Sequence, residues 1–206
     1  MKKRGPVMML LAMAMWAGCS SEPSAPAEKP QPKPAEFVSG RAAFQKLYGA
    51  AHGWAPDAAP FRIESQLTAD GKGQGGKAVV WRASFASALQ HNAKPYEWSG
   101  TDASDAPSRG VSPGVEDSYT ASNSSTRVFQ AGFLKVDSDQ AFETAQKHGG
   151  DKLLQKNPDT PVLYLLDWSV PTSALVWHVF YGPSRDDAKL KVDVNATTGE
   201  FIGVEK

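Results

Sequence analysis

Four histidines and a few paired carboxylates are the side chains whose types invite chemistry. The histidines stand at 52, 91, 148 and 178. No two fall in H-x-x-x-H or H-E-x-x-H spacing, the spacing that puts two imidazoles on one helix face as zinc ligands. His52 and His148 fall at expected helix ends, where a protonated ring meets the negative end of the dipole. His178 follows Trp177 on the opposite face of an expected strand. The acidic pairs Asp102/Asp105, Glu116/Asp117 and Asp186/Asp187 lack the residue order of a calcium loop. Nothing in their spacing selects two carboxylates for glycosidase work. "GVSPG", residues 110–114, matches G-x-S-x-G. That elbow needs a strand before Ser112 and a helix after it, and here Pro113 and a polar stretch surround the serine. "GKGQGG", residues 71–76, lacks the Lys-Ser/Thr and helix start of a phosphate loop. No catalytic residue, metal ligand or cofactor is assigned, and the expectation leans away from an enzyme.

The single cysteine, Cys19, carries more information. Residues 1–18 open with Lys2, Lys3 and Arg4, continue with an apolar stretch over 7–17 and end in Ala17-Gly18. The stretch falls well short of the roughly 20 apolar residues that span a bilayer, and its layout is that of a secretory signal peptide. Small residues directly before a Cys resemble the lipobox of bacterial lipoproteins, with Trp16 standing where an aliphatic residue is usual. The resemblance implies cleavage before Cys19 and acylation of it, palmitate included. With Ser20 rather than Asp next, it implies the outer membrane, facing the periplasm. Several acyl chains, each methylene contributing about 0.8 kcal/mol, make such an anchor effectively permanent.

Residues 19–37 are crowded with proline, at 23, 26, 30, 32 and 34, among Ala, Lys and Glu. They read as an extended tether. The whole chain balances 22 Lys plus Arg against 22 Asp plus Glu. Loss of residues 1–18 removes three cations and no anion, leaving 19 against 22 and a formal charge of −3. Nucleic acid, which demands a basic footprint, is excluded as a partner. Six Trp and nine Phe promise a substantial core.

The elements that must position these residues come in an order that repeats. Phe44, Leu47, Tyr48 and Ala51 at i, i+3, i+4, i+7 predict a helix, with Ser39 as N-cap and Gly53 as its stop. "FRIESQL", "KAVVWRASF" and "KPYEWSG" predict strands. From Asp137 the order recurs. Asp137 with Gln140 has capping-box spacing, and Gly149-Gly150 predicts the helix end. "PVLYLLDWSV" and "ALVWHVFYG" predict strands, and "KLKVDVNATTGEFIGV" a hairpin. Ala43-Phe44 matches Ala141-Phe142, 98 residues on, and Trp81 matches Trp177, 96 residues on. The spacing favours a duplicated helix-then-strands unit. Between the units, residues 99–126 hold 20 Ser, Thr, Asn, Asp, Gly or Pro among 28, so they predict a long polar loop. "RVFQAGFLKV" after it predicts a further strand.

Residues 128–206 resemble the PepSY-like domains of exported bacterial proteins. The residues that carry the resemblance are Asp137, Ser138, Ala141, Ala145, Val192, Asp193, Thr198, Gly199 and Glu200. It implies a cystatin-like helix-on-sheet fold, an inhibitory or ligand-binding role, and no catalytic residues.

The expectation is therefore an α+β protein of two tandem helix-plus-antiparallel-sheet units. Its parts are a signal peptide (1–18), a tether (19–37), a first unit (38–101), a polar linker (102–127) and a second, PepSY-like unit (128–206). It is held to the membrane through lipidated Cys19 and binds an envelope protein or peptide. Trp98, beside the polar loop, and Arg109 and Tyr119 within it are the candidate partner contacts. The competing reading is a hydrolase or small-ligand binder that uses a cleft between the units.

Overall fold

A computed structural model describes residues 33–205, with side chains to 204. The expected signal peptide, Cys19 and most of the tether lie outside the described residues. In chain order the strands are β1 (Val38–Ser39), β2 (Ala59–Gln66), β3 (Lys77–Ala78), β4 (Val80–Ser87), β5 (Asn92–Ser99), β6 (Gly110–Pro113), β7 (Asp117–Ser118), β8 (Val162–Ser169), β9 (Ala174–Tyr181), β10 (Leu190–Asn195) and β11 (Phe201–Glu205). The helices are α1 (Gly40–Trp54), α2 (Ser138–Ala145) and α3 (Asp151–Lys156).

The chain is α+β, built on one large antiparallel sheet ordered β11-β10-β9-β8-β2-β4-β5-β6, with β7 also on β5. Period-two alternation decides which face each residue takes. Ile63, Trp81, Ala83, Phe85, Leu166, Trp177, Val179, Val192 and Val194 all point to one face and enter one core with Phe44, Leu47 and Ala51 of α1 and Ala141 and Ala145 of α2. Arg62, Glu64, Arg82, Asp167, His178 and Asp193 point to the other. The seam between the early and late strands is β2 on β8, with Arg62 opposite Asp167 and Ile63 opposite Leu166.

The two helices start head to head. Asp137 caps α2 with Gln140 in a capping box, as the spacing predicts. Its carboxylate also accepts the Arg41 N–H of α1 at 2.8 Å and the Ser39 hydroxyl at 2.6 Å. Ser39 thus occupies the expected N-cap position, but its side chain is turned to Asp137 rather than to its own helix. Ser138 Oγ accepts the Gly40 N–H at 2.7 Å and donates to the Gly76 carbonyl at 2.6 Å. One carboxylate therefore satisfies donors of two helix N-termini, where negative charge is favoured. The approach is close. A Cβ on Gly40 would lie 2.6 Å from the Trp177 ring, and one on Gly76, at φ +76°, would lie 2.1 Å from Asp139 Cα.

Trp81 and Trp177 sit beneath this junction, both fully buried, ring centroids 6.3 Å apart and edge to face. Each indole N–H is satisfied by the carbonyl two residues before a helix start: Trp81 by Val38 at 3.0 Å, Trp177 by Val136 at 2.9 Å.

Three expectations are corrected. Residues 127–136 are not a strand but a single 3-10 turn at Ala131–Phe133 within irregular chain. The segment makes isolated main-chain bonds instead of a ladder, from Phe129 N–H to the Pro60 carbonyl and from Lys135 and Val136 N–H to the Ala196 carbonyl. Residues 99–126 are not only loop: β6 and β7 both pair with β5. An edge strand can be polar and can hold Pro113, because one side of it needs no partner. Gly149-Gly150 does not end the second helix. A wide turn at Gln146–Gly150, with Gly149 at φ +115°, carries the chain into α3.

Candidate functional site

On the helix-free face a row of charged groups crosses four strands. His178 on β9 lies between Asp193 of β10, with Nδ1 2.6 Å from Oδ1, and Asp167 of β8, with Nε2 3.2 Å from Oδ1. Arg62 of β2 continues the row 3.6 Å from Asp167, and Lys191 lies 3.8 Å from Asp193. Cross-strand register makes the row: His178 stands opposite Asp193 on one side and Leu165 on the other, and Asp167, two residues beyond Leu165 on the same face of β8, stands opposite Arg62. Burial works against a charged imidazole, but hydrogen bonds and the charges of the two carboxylates outweigh it and raise the His178 pKa. Burial likewise pushes Asp167 up, yet the His178 bond and the nearby charges of His178, Arg62 and Arg185 hold it below the ordinary value. Both ring nitrogens are engaged by carboxylates, and in its protonated form His178 donates to both. Neither nitrogen is free to take a proton from a substrate, as a general base must. The arrangement ties strands together.

The other sequence-singled residues are dispersed. Trp98 is buried against the core face, with the Lys46 ammonium 5.6 Å from its ring. Tyr119 is buried in a small second cluster with Phe61, Ala86 and Ala93. Arg109 bonds Asp102 at 3.0 Å and the carbonyls of Lys33 and Pro34 at 3.2 and 3.1 Å, pinning the segment that leads into β1. The three are not brought together. Two are covered by the chain's own packing, and the third is spent on the chain itself, so none offers the open surface expected of a partner contact. Ser112 lies in β6 with coil, not helix, after it, so the hydrolase elbow is ruled out on geometry. His52 Nδ1 lies 3.2 Å from the Pro56 carbonyl, and His148 stacks on Phe201 at 3.7 Å. The acidic pairs serve their loops: Asp105 accepts Ala69 N–H, Glu116 binds Lys94, and Asp187 binds Ser184.

A cleft of about 560 Å³ lies at the other end of the sheet. One wall is the wide turn and α3, bringing Lys147, His148, Lys152, Leu153 and Lys156. The other comprises Lys189 and Leu190 at the start of β10 and Val204 of β11. All lining residues come from the late half of the chain, so this is not the cleft between two units that the competing reading requires. Sequence reasoning missed it. The i, i+4 spacing of Lys152 and Lys156 was the one available signal, and Lys189 joins them only through the fold.

No family model matches the chain, and no curated protein matches it. Among solved structures it is similar to the crystal structure of a "putative lipoprotein" from Clostridium difficile 630. The two share 12% identity and superpose with a TM-score of 0.53, over 79% of this chain and 91% of that one. At that identity the likeness is one of fold.

Proposed function

We propose that this chain is a lipid-anchored, non-enzymatic protein of the bacterial envelope that binds a protein or peptide partner. The observation that carries partner binding is the free edge of the sheet. Strand β11 ends the strand order and pairs only with β10 among the described residues, and Val204 on it is 44% exposed beside the cleft. Such an edge accepts an added strand, with main-chain bonds supplying affinity and neighbouring side chains supplying selectivity. The engagement of both His178 nitrogens supports the non-enzymatic reading. Anchoring rests on Cys19 after its signal-like segment, and the likeness in fold to the Clostridium difficile "putative lipoprotein" points the same way. Among the described residues no helix is long and apolar enough to cross a membrane. Ser20 favours the outer membrane, periplasmic side. The PepSY-like resemblance makes inhibition the consequence of binding.

A duplicated unit is part of this reading. The strand order is mirrored about the β2–β8 seam. The Trp81–Val38 and Trp177–Val136 bonds correspond, and Gly40 meets Ser138 at an offset of 98 residues.

Two measurements test the proposal. Cys19→Ser should release the full chain from the membrane fraction and abolish acyl modification by mass spectrometry. Membrane retention of a chain still cleaved at residue 19 overturns the anchor. A photo-crosslinking residue at Val204 should capture one discrete partner in the native envelope, while the same residue at the exposed Leu89 should not. Equal capture at both positions overturns edge binding.

A further inference from the structure

Ten of the 17 described Lys and Arg side chains take part in no ion pair among the described residues, and four of those ten are gathered in one cleft. Arg41, Arg62, Lys72, Lys94, Arg109, Arg185 and Lys191 are each paired with a carboxylate. Lys147, Lys152, Lys156 and Lys189 take part in no ion pair among the described residues, and all line the cleft beside β11. The chain as a whole has a formal charge of zero, so general basicity does not account for the cluster. The lone acid in the lining, Asp151, directs Oδ1 to the Lys152 N–H at 2.7 Å. Leu153, Leu190 and Val204 supply the apolar part of the lining, and Val204 stands on the unpaired edge strand β11.

We propose that this cleft receives an extended acidic peptide, laid alongside β11 as a further strand, with its carboxylates against Lys147, Lys152, Lys156 and Lys189. The proposal rests on the partner-binding reading above and gives the partner its chemistry. Charge complementarity selects an anion. The concave shape and the adjoining edge select a chain rather than a flat lipid surface, because an added strand brings its own main-chain donors and acceptors. Alternating residues of a strand point to opposite sides, so one set can face the lysines and the other stay in solvent. A second copy of this chain is a poor occupant, since edge-to-edge pairing would set one lysine cluster against another. Lysines beside an edge also discourage such pairing by themselves, and the test must separate that guarding role from recognition.

The probe is a fluorescent peptide of alternating Glu and Val, titrated onto the full chain in detergent. Saturable binding is expected, weakened on the order of tenfold by K152E together with K156E. It should also fall as salt rises from about 0.05 to about 0.5 M. Amide exchange over residues 201–205 should slow on binding. Equal affinity for a Gln-Val peptide, with the same protection, overturns the acidic preference while leaving edge binding intact. Glu-Val binding that leaves 201–205 unprotected overturns the strand geometry and the edge reading together. Absence of peptide binding, with self-association of the K152E/K156E chain, shows that the lysines only guard the edge and overturns the proposal. Capture by phosphatidylglycerol vesicles in preference to the peptide overturns it in favour of a lipid surface.

Discussion

The two faces of the sheet are held by different physics. The helix-covered face is dry and aromatic, with Trp81, Trp177, Tyr164 and Phe85 nearly or wholly inaccessible. Its few polar atoms are satisfied by bonds within the fold, as in the Trp81 and Trp177 indole bonds and the two bonds of the Tyr164 hydroxyl. The helix-free face is cross-braced by charge, through Arg62, Asp167, His178, Asp193 and Lys191, with one apolar patch under Tyr119. Apolar burial is indifferent to pH and scales with area. A charge row is worth less per group and depends on proton occupancy. The same strands thus carry a strong, constant side and a weaker, adjustable one.

The largest effect that sharpens this contrast is at the paired tryptophans. Trp177→Ala should destabilise by about 3–5 kcal/mol, the cost of emptying a large core site. Trp81→Ala should match it, because both rings share one contact and equivalent indole bonds. Denaturant titration followed by circular dichroism measures both, and a loss near zero for either would place that ring outside the core. Next comes Tyr119→Ala, which uncovers Phe61, Ala86 and Ala93 and should cost about 2 kcal/mol. A chain trimmed of residues 103–122 should lose at least as much, since it loses Tyr119 together with β6 and β7. No loss on trimming would mean that β5 needs no edge partners.

The smallest effect is the most diagnostic. The folded pKa of His178 lies above its ordinary value of 6.5. Its contribution is therefore fully present below about pH 6.5 and is lost as pH rises through the folded value. That of Asp167 lies below its ordinary 3.8, so its contribution is present above about pH 4 and is lost as pH falls through the folded value. His178→Gln should cost on the order of 1 kcal/mol at pH 6, with side chains this near the surface partly screened by solvent, and little at pH 9. Melting temperature against pH for both chains checks it. A constant gap between them across that range would break the comparison.

How much of this was legible depends on how local each cause is. The β10 alternation of Leu190, Val192 and Val194, the Asp137–Gln140 box and the α1 stripe are written within a few residues, and all three form as read. The Arg62–Asp167 register is not, because it joins residues over a hundred apart and no local pattern encodes it. Strand β6 escaped because an edge strand needs no apolar alternation. Trp98 and Tyr119 looked available because polar neighbours in sequence suggested solvent. In space, Trp98 turns to the core and Tyr119 folds over the apolar patch of the helix-free face. The lysine cleft escaped for a related reason, since Lys189 approaches α3 only once β10 and the wide turn are in place.

The Asp137 carboxylate also bears on the order of events during folding. The first turn of α1 waits for a carboxylate 96 residues beyond Arg41, and β2 waits for β8 across a similar separation. Contacts this far apart in sequence raise contact order and slow the search for the native state. A chain that ends at residue 101 holds α1, β2, β4 and β5 yet leaves the first turn uncapped and a central strand exposed as an edge. Its early half is therefore a dependent partner rather than a nucleus that forms ahead of the rest, and cooperativity spans the whole sheet.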